Sequence, residues 1–288
     1  MPCPTIRHMT ELAVSVIVPA HNESAGIGRL LRLLTMGTSD AEVEVVVACN
    51  GCSDDTADAA RAFEGVLVVE IPDASKRLAL EAGDAAAHHP TRAYVDADVA
   101  VSRRDLMILV GTLTGGVLAA GPERRLSLGS SSWAVRWYYD VWQRLPQVRA
   151  GLFGRGMIVL SPEGHERVRG LPSVMSDDLA ISEAFADSER AIVQSAVVVI
   201  ECPRTVRDLV RRRMRIATGN SQLDAMGMRS AASRTSVSDL LSIATASPAL
   251  AAKVALFVAV TSIGRLLARR RIQQGDFTTW LRDESSRG

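Results

Sequence analysis

Residues 14–34 read VSVIVPAHNESAGIGRLLRLL, and the change of period inside this stretch decides the fold. VSVIVPA is a nearly continuous β-branched run, as expected of a strand buried on both faces. HNES is a polar loop, and IGRLLRLL has helical spacing with Ser24 as the expected cap. The unit then repeats. EVEVVVAC is a second strand, Ser53 would cap a helix over DDTADAARAF, and VLVVEIP is a third strand. Ser75 would cap KRLALEAGDAAA, and AYVDADV is a fourth strand ending in acids. Such alternation over about a hundred residues predicts an α/β fold built on a mostly parallel, Rossmann-like sheet flanked by helices. Ligands of such sheets sit beyond the carboxyl ends of the strands, which selects PAHNE, CNGCSDD, PDASK and DADV.

Further along, RRDLMILVGTL predicts a helix and GVLAAGPE a strand. SSWAVRWYYDVWQRLP reads either as an amphipathic helix packing its rings on the domain or as the wall of an acceptor groove. Glycines 151, 154 and 156 either let backbone approach a ligand closely or belong to a loop.

Lys and Arg number 33 against 32 Asp and Glu, so no overall field would gather nucleic acid, which is not expected as a partner. Four cysteines, at 3, 49, 52 and 202, accompany an N-terminal segment without a secretory pattern, so a reducing, cytoplasmic setting is expected. Cys49-Asn-Gly-Cys52 has the spacing of a zinc or redox pair. No second such pair or spaced histidines complete a zinc site, and the position at a strand end with Gly51 favours a turn.

Asp96 and Asp98, closing the fourth strand, repel unless a cation lies between them. Mg²⁺ or Mn²⁺, held by one or two carboxylates plus substrate phosphates, fits that chemistry.

PAHNE, NGCSDDT, Lys76, the DAD pair, SDDLAI at 176–181 and RRRMR at 211–215 occur in the order and spacing of the family 2 glycosyltransferases, which the chain resembles over about residues 13–222. The resemblance implies a GT-A fold and an inverting transfer of a sugar from a nucleotide-diphospho-sugar donor to a hydroxyl acceptor, a glycan or a lipid-linked intermediate. It implies donor contacts from Pro19, His21, Asn22 and Glu23, with the His21 ring on the nucleobase. Asn50 would bond base or ribose, although Cys49 replaces the family's aspartate and leaves the base open. Lys76 or Arg77 would meet base or diphosphate, Asp96 the ribose, and Asp98, with Asp96, the metal. Asp178 would be the catalytic base and Asp177 its acidic neighbour; read without the resemblance, both are acids at a helix N-terminus. Arg212 and Arg215 would clamp the diphosphate. Ile216 replaces a tryptophan of the family, which implies one sugar per acceptor.

The expected division is a catalytic domain over 1–222, with a nucleotide half to about 100 and an acceptor half over 101–222, then a helical tail over 223–288. Residues 243–264 are apolar, interrupted by Pro248 and Lys253, and followed by arginines. A helix on the cytoplasmic membrane face, a single anchor and a core helix are all compatible with that pattern. Two alternatives stay open: a sugar nucleotidyltransferase and a non-catalytic nucleotide-binding module.

Overall fold

The computed structural model describes residues 13–36 and 43–273. In chain order the elements are β1 (Val14–Ala20), α1 (Ile27–Thr35), β2 (Val43–Asn50), α2 (Thr56–Arg61), β3 (Val66–Ile71), α3 (Lys76–Ala86), β4 (Arg92–Val95), β5 (Val99–Val101), α4 (Arg103–Thr112) and β6 (Ala119–Ser127). They are followed by α5 (Trp133–Trp142), α6 (Pro146–Ala150), β7 (Met157–Leu160), α7 (Pro162–Arg169), α8 (Asp177–Glu183), β8 (Arg190–Glu201), α9 (Val206–Ala225), α10 (Val237–Thr245) and α11 (Pro248–Gln273).

One eight-stranded sheet has the order β3-β2-β1-β4-β7-β6-β8-β5. The first four strands are parallel, as the alternating pattern predicts. β7 then runs antiparallel to both β4 and β6, while β8 lies parallel to β6. The order reverses at β1, which lies between β2 and β4, so the loops leaving these three strands open onto one crevice.

Both faces of β1 are covered. Val14, Val16 and Val18 join Ile27, Leu30, Leu31 and Leu34 of α1 in the main core, and burial of each such side chain is worth about 1.5–3 kcal/mol. Ile17 meets α3 on the other face, so closely that a Cβ on Gly83 would lie 2.4 Å from its Cγ2.

Two expected caps differ. Gly26, not Ser24, precedes α1, because the Glu23 carbonyl takes the N–H groups of Gly26 and Ile27 and delays the helix. Ser24 instead gives its N–H to Asp54 (3.2 Å). Nor does Ser53 cap α2, which begins at Thr56 beneath Asp54, whose Oδ1 accepts the Thr56 N–H (3.1 Å). Ser75 caps α3 as predicted, accepting from Leu78 N–H.

Past β8 the chain is helical. α5, α9, α10 and α11 share a second core built on Tyr138, Leu209, Ile243, Phe257 and Val260. α11 starts at Pro248 and, among the described residues, is the one helix long and apolar enough to cross a membrane. Its inner face packs on α5 and α9, and Val258, Ile263 and Leu266 remain exposed.

The Gly83 contact yields a test. Gly83→Val should lower unfolding stability by about 2–3 kcal/mol through overpacking against Ile17, read from urea midpoints; an unchanged midpoint would contradict the packing described.

Candidate functional site

The polar loops gather where the sheet order reverses. Asp54 joins the loops after β1 and β2: it holds Ser24 N–H and the Thr56 hydroxyl, and Thr56 Oγ1 accepts the N–H of Glu23 (2.7 Å). His21 Nδ1 lies 2.5 Å from the Asn50 carbonyl. A carbonyl only accepts, so Nδ1 carries the proton and the ring plane is fixed. The Asn50 amide is oriented with its NH₂ toward the Ala20 carbonyl (2.6 Å) and its oxygen toward Ser75 N–H (3.1 Å). Its hydrogen bonds therefore tie three strand-end loops together.

Cys49-Asn-Gly-Cys52 is a turn with three further ties. Gly51 takes φ 57°, and a Cβ there would meet Ala74 backbone at 2.8 Å. Cys52 Sγ faces the Ala20 carbonyl and Asn22 N–H. Burial, with Cys52 close by, pushes the Cys49 thiol up to about 12, which leaves no reactive thiolate at neutral pH.

β4 ends at Val95, so Asp96 and Asp98 reach the cleft from a turn and not by strand alternation. Asp96 N–H donates to Gly156 O (2.8 Å) and Val99 N–H to Asp96 O (3.4 Å). Gly156 takes φ 64°, and a Cβ on it would strike Val99 at 2.4 Å.

Lys76 opens α3 and places its Nζ 2.8 Å from Asp96 and 2.9 Å from Asp177. Burial opposes its charge, but the carboxylates of Asp177 and Asp96 outweigh that and hold the ammonium above the ordinary lysine range. Asp177 and Asp178 begin α8. Asp178 Oδ2 accepts the N–H of Gly154 (2.7 Å) and Oδ1 that of Leu179 (2.8 Å). Burial first, then Asp177, raises the Asp178 pKa, with the Gly154 N–H and Lys76 opposing. Burial and Asp96 likewise raise that of Asp98, opposed by Arg212, Arg215 and Lys76.

α9 closes the cleft. Arg212 and Arg215, three residues apart, share one face, and Arg212 Nη1 donates to the Tyr139 hydroxyl (3.3 Å). Burial and Arg212 lower the Arg215 pKa, while Asp96, Asp98 and Asp178 support its charge. Gly219 lets α9 approach the loop before α8; a Cβ would meet Ser176 Oγ at 2.3 Å.

Of the residues expected from sequence, Pro19, His21, Glu23, Asn50, Lys76, Asp96, Asp98, Asp177, Asp178, Arg212 and Arg215 line this one cleft. Two do not. Asn22 lies behind the wall with φ 52°, its Oδ1 accepting from Ser53 N–H (2.7 Å). Arg77 pairs with Glu81 (2.7 Å), bonds the Leu171 carbonyl and lines a different hollow. A one-residue step along α3 turns it about 100° from Lys76, out of the cleft.

The glycosyl transferase family 2 profile matches residues 15–150. The 4,4'-diaponeurosporenoate glycosyltransferase of Staphylococcus aureus (strain USA300) is 33% identical over 132 residues, 44% of this chain and 34% of that protein. The chain thus spans about a third of the length of the curated relatives it matches. Among solved structures, the mannosyltransferase PcManGT from Pyrobaculum calidifontis, in complex with GDP-Man and Mn²⁺, superposes with a TM-score of 0.67 at 23% identity. It covers 96% of this chain and 90% of that one. Glucosyl-3-phosphoglycerate synthase from Mycobacterium tuberculosis, in complex with Mn²⁺, UDP and glucosyl-3-phosphoglycerate, gives a TM-score of 0.54 at 21% identity, covering 76% and 81% of the two chains. The fold is that of the GT-A glycosyltransferases.

Beside the residues expected from sequence, the cleft uses others that sequence reasoning missed. Arg155 is 2% exposed and donates to the carbonyls of Gly151 (2.9 Å), Pro122 (2.7 Å) and Arg149 (2.8 Å), fixing the loop that carries Gly154 and Gly156. An arginine between two glycines, FGRG, just before the buried MIVL strand was the available signal. Tyr138, Tyr139 and Trp142 of α5 pack in the second core, as the first reading of the aromatic run expects, and also line the cleft.

Lys76 supplies the prediction. Lys76→Met leaves two carboxylates without their shared cation and should cost about 2–3 kcal/mol at pH 7, below the figure for fully buried pairs because the cleft is open. The raised lysine pKa keeps the wild-type contribution present below about pH 10, the unfolded value, and it is lost only above the folded one. The deficit should therefore be constant between pH 6 and 9 in urea unfolding.

Proposed function

We propose that this chain is a metal-dependent, inverting glycosyltransferase that moves one sugar from a nucleotide-diphospho-sugar to the hydroxyl of a glycan or lipid-linked acceptor. The observation that carries this reading is the convergence of Asp98, Asp178, Arg212 and Arg215 on one cleft at the carboxyl end of β4.

The donor set after β4 suits a hard divalent ion. It is oxygen only, and among the described residues no third His, Cys, Asp or Glu completes a protein-only metal site. Mg²⁺ and Mn²⁺ accept two carboxylates and fill their remaining positions with water and substrate phosphates. Burial and then Asp96 raise the Asp98 pKa, and Arg212, Arg215 and Lys76 oppose the shift, as they would for a carboxylate set among like and unlike charges. Asp98, with Asp96, would hold the ion, which when bound neutralises charge on the departing diphosphate.

The chain's own groups do the rest. The His21 ring, held by the Asn50 carbonyl, offers its face to the nucleobase. Arg212 and Arg215 bind the diphosphate as it gathers charge. The acceptor oxygen bonds the anomeric carbon as the carbon–oxygen bond to phosphate breaks, its electron pair leaving with the nucleotide diphosphate. The acceptor's proton passes to Asp178, whose raised pKa suits a base that must take a proton and hold it. Gly154 N–H and Leu179 N–H aim that carboxylate. Tyr138, Tyr139 and Trp142 form the acceptor wall, and Ile216, in place of a broad aromatic platform, favours a single transfer. Contact of α11 with the cytoplasmic membrane face, through its exposed apolar side and Arg269–Arg271, belongs to the same reading.

The test is turnover of a panel of GDP- and UDP-sugars with and without Mn²⁺. Asp98→Ala should abolish metal-dependent turnover. Asp178→Asn should lower kcat by about a hundredfold or more while nucleoside diphosphate affinity, measured by calorimetry, stays within about twofold. Tight binding without turnover of any donor would favour a binding module, and unimpaired turnover by Asp178→Asn would remove that residue as base.

A further inference from the structure

Arg213 lies one step from the diphosphate clamp and lines both the cleft and a separate hollow of about 340 Å³ enclosed by α9, the 226–236 segment and α11. Arg213, Arg229, Arg234, Arg265 and Arg269 line that hollow, and among the described residues Asp224 is the one carboxylate lining it with them. Asp224 is already engaged by Arg234 Nη2 (2.8 Å) and Arg229 Nη1 (3.4 Å). Arg265 and Arg269 stand four residues apart on one face of α11, and neither has a carboxylate partner among the described residues.

The cluster is built into the packing. α11 comes so close to α9 that a Cβ on Gly264 would lie 2.8 Å from Arg213 Cβ, and the Arg213 guanidinium sits 5.9 Å over the Tyr138 ring. The Nε groups of Arg213 and Arg229 are buried with no hydrogen-bond acceptor. Burial lowers the Arg229 pKa; Arg234 and Arg265 add repulsion and Asp224 opposes it. Buried donors without acceptors and cations without counter-charge each destabilise the fold. An oxyanion with several acceptor atoms relieves both at once, and guanidinium forks match phosphate bidentately.

We propose that this hollow is a phosphate-binding site, distinct from the cleft, that takes the phosphate or diphosphate group of a ligand. That group can be carried by a soluble compound or by a lipid headgroup, since Ile263 and Leu266 of α11 are exposed on the helix that bears Arg265 and Arg269. The inference stands on this cluster alone, whatever the cleft transfers.

The test uses the full chain in EDTA and low salt, with inorganic pyrophosphate titrated by calorimetry. Both substituted arginines are exposed, so Arg265→Gln/Arg269→Gln should fold; unchanged nucleoside diphosphate binding with Mn²⁺ checks this. The expected result is pyrophosphate binding that weakens with salt, falls at least tenfold in the double variant and survives Arg212→Gln. Absence of binding, binding kept by the double variant, or binding lost instead in Arg212→Gln would each overturn the proposal. Vesicles then separate the sources. Sedimentation with phosphatidylglycerol but not phosphatidylcholine vesicles, lost in the double variant and competed by pyrophosphate, identifies a headgroup; pyrophosphate binding without sedimentation identifies a soluble phosphate.

Discussion

The site depends on one cation. Lys76 Nζ stands between Asp96, from the turn after the parallel half of the sheet, and Asp177, from α8 between β7 and β8. These carboxylates come from segments about eighty residues apart and would repel without it. In the partly desolvated cleft a unit charge within 3 Å of two carboxylates is a strong constraint. It sets the distance between the acids after β4 and those that open α8. Lys76 itself is fixed because Ser75 caps α3 and Ser75 N–H is held by Asn50, so the constraint runs back into the β2 turn.

A second constraint is steric. Gly156 and Gly219 sit where a side chain would collide with Val99 and with Ser176, and Gly154 adopts φ 63° while giving its N–H to Asp178. The buried Arg155 between two of these glycines spends its donors on four carbonyls, those of Val148, Arg149 and Gly151 and that of Pro122 in β6. The 151–156 segment is therefore a shaped support, positioned by one polar anchor and by the absence of side chains on either side of it.

The parallel half was legible from sequence because its strands are continuous β-branched runs and its helices have clean spacing. Fold class, four strands, the Ser75 cap and the loops that face the cleft all follow from that pattern. The helix starts after β1 and β2 were misread because Asp54 organises both loops at once, a contact between segments thirty residues apart that local capping rules do not see. The antiparallel half was less legible. β7 is only four residues long, β8 is a half-buried run without strict alternation, and the arginines that matter there are buried ones. Arg77 illustrates the limit within a correctly read helix: adjacent basic residues look equivalent in sequence, yet helical rotation sends one into the cleft and the other out.

The same geometry makes α9 more than a wall. Arg212 and Arg215 share the face turned to the cleft, whereas Arg213, rotated by about 100°, reaches the hollow under α11 and covers Tyr138. Tyr138 in turn stacks on Phe257 of α11 (4.8 Å between centroids) and lines the cleft. Arg213 thus borders both hollows and rests on a ring that belongs to one of them. If a ligand in one hollow altered affinity in the other, reciprocity would require the same factor in both directions. The close approach at Gly264, where a Cβ would lie 2.8 Å from Arg213 Cβ, sets the α11 backbone directly against this arginine.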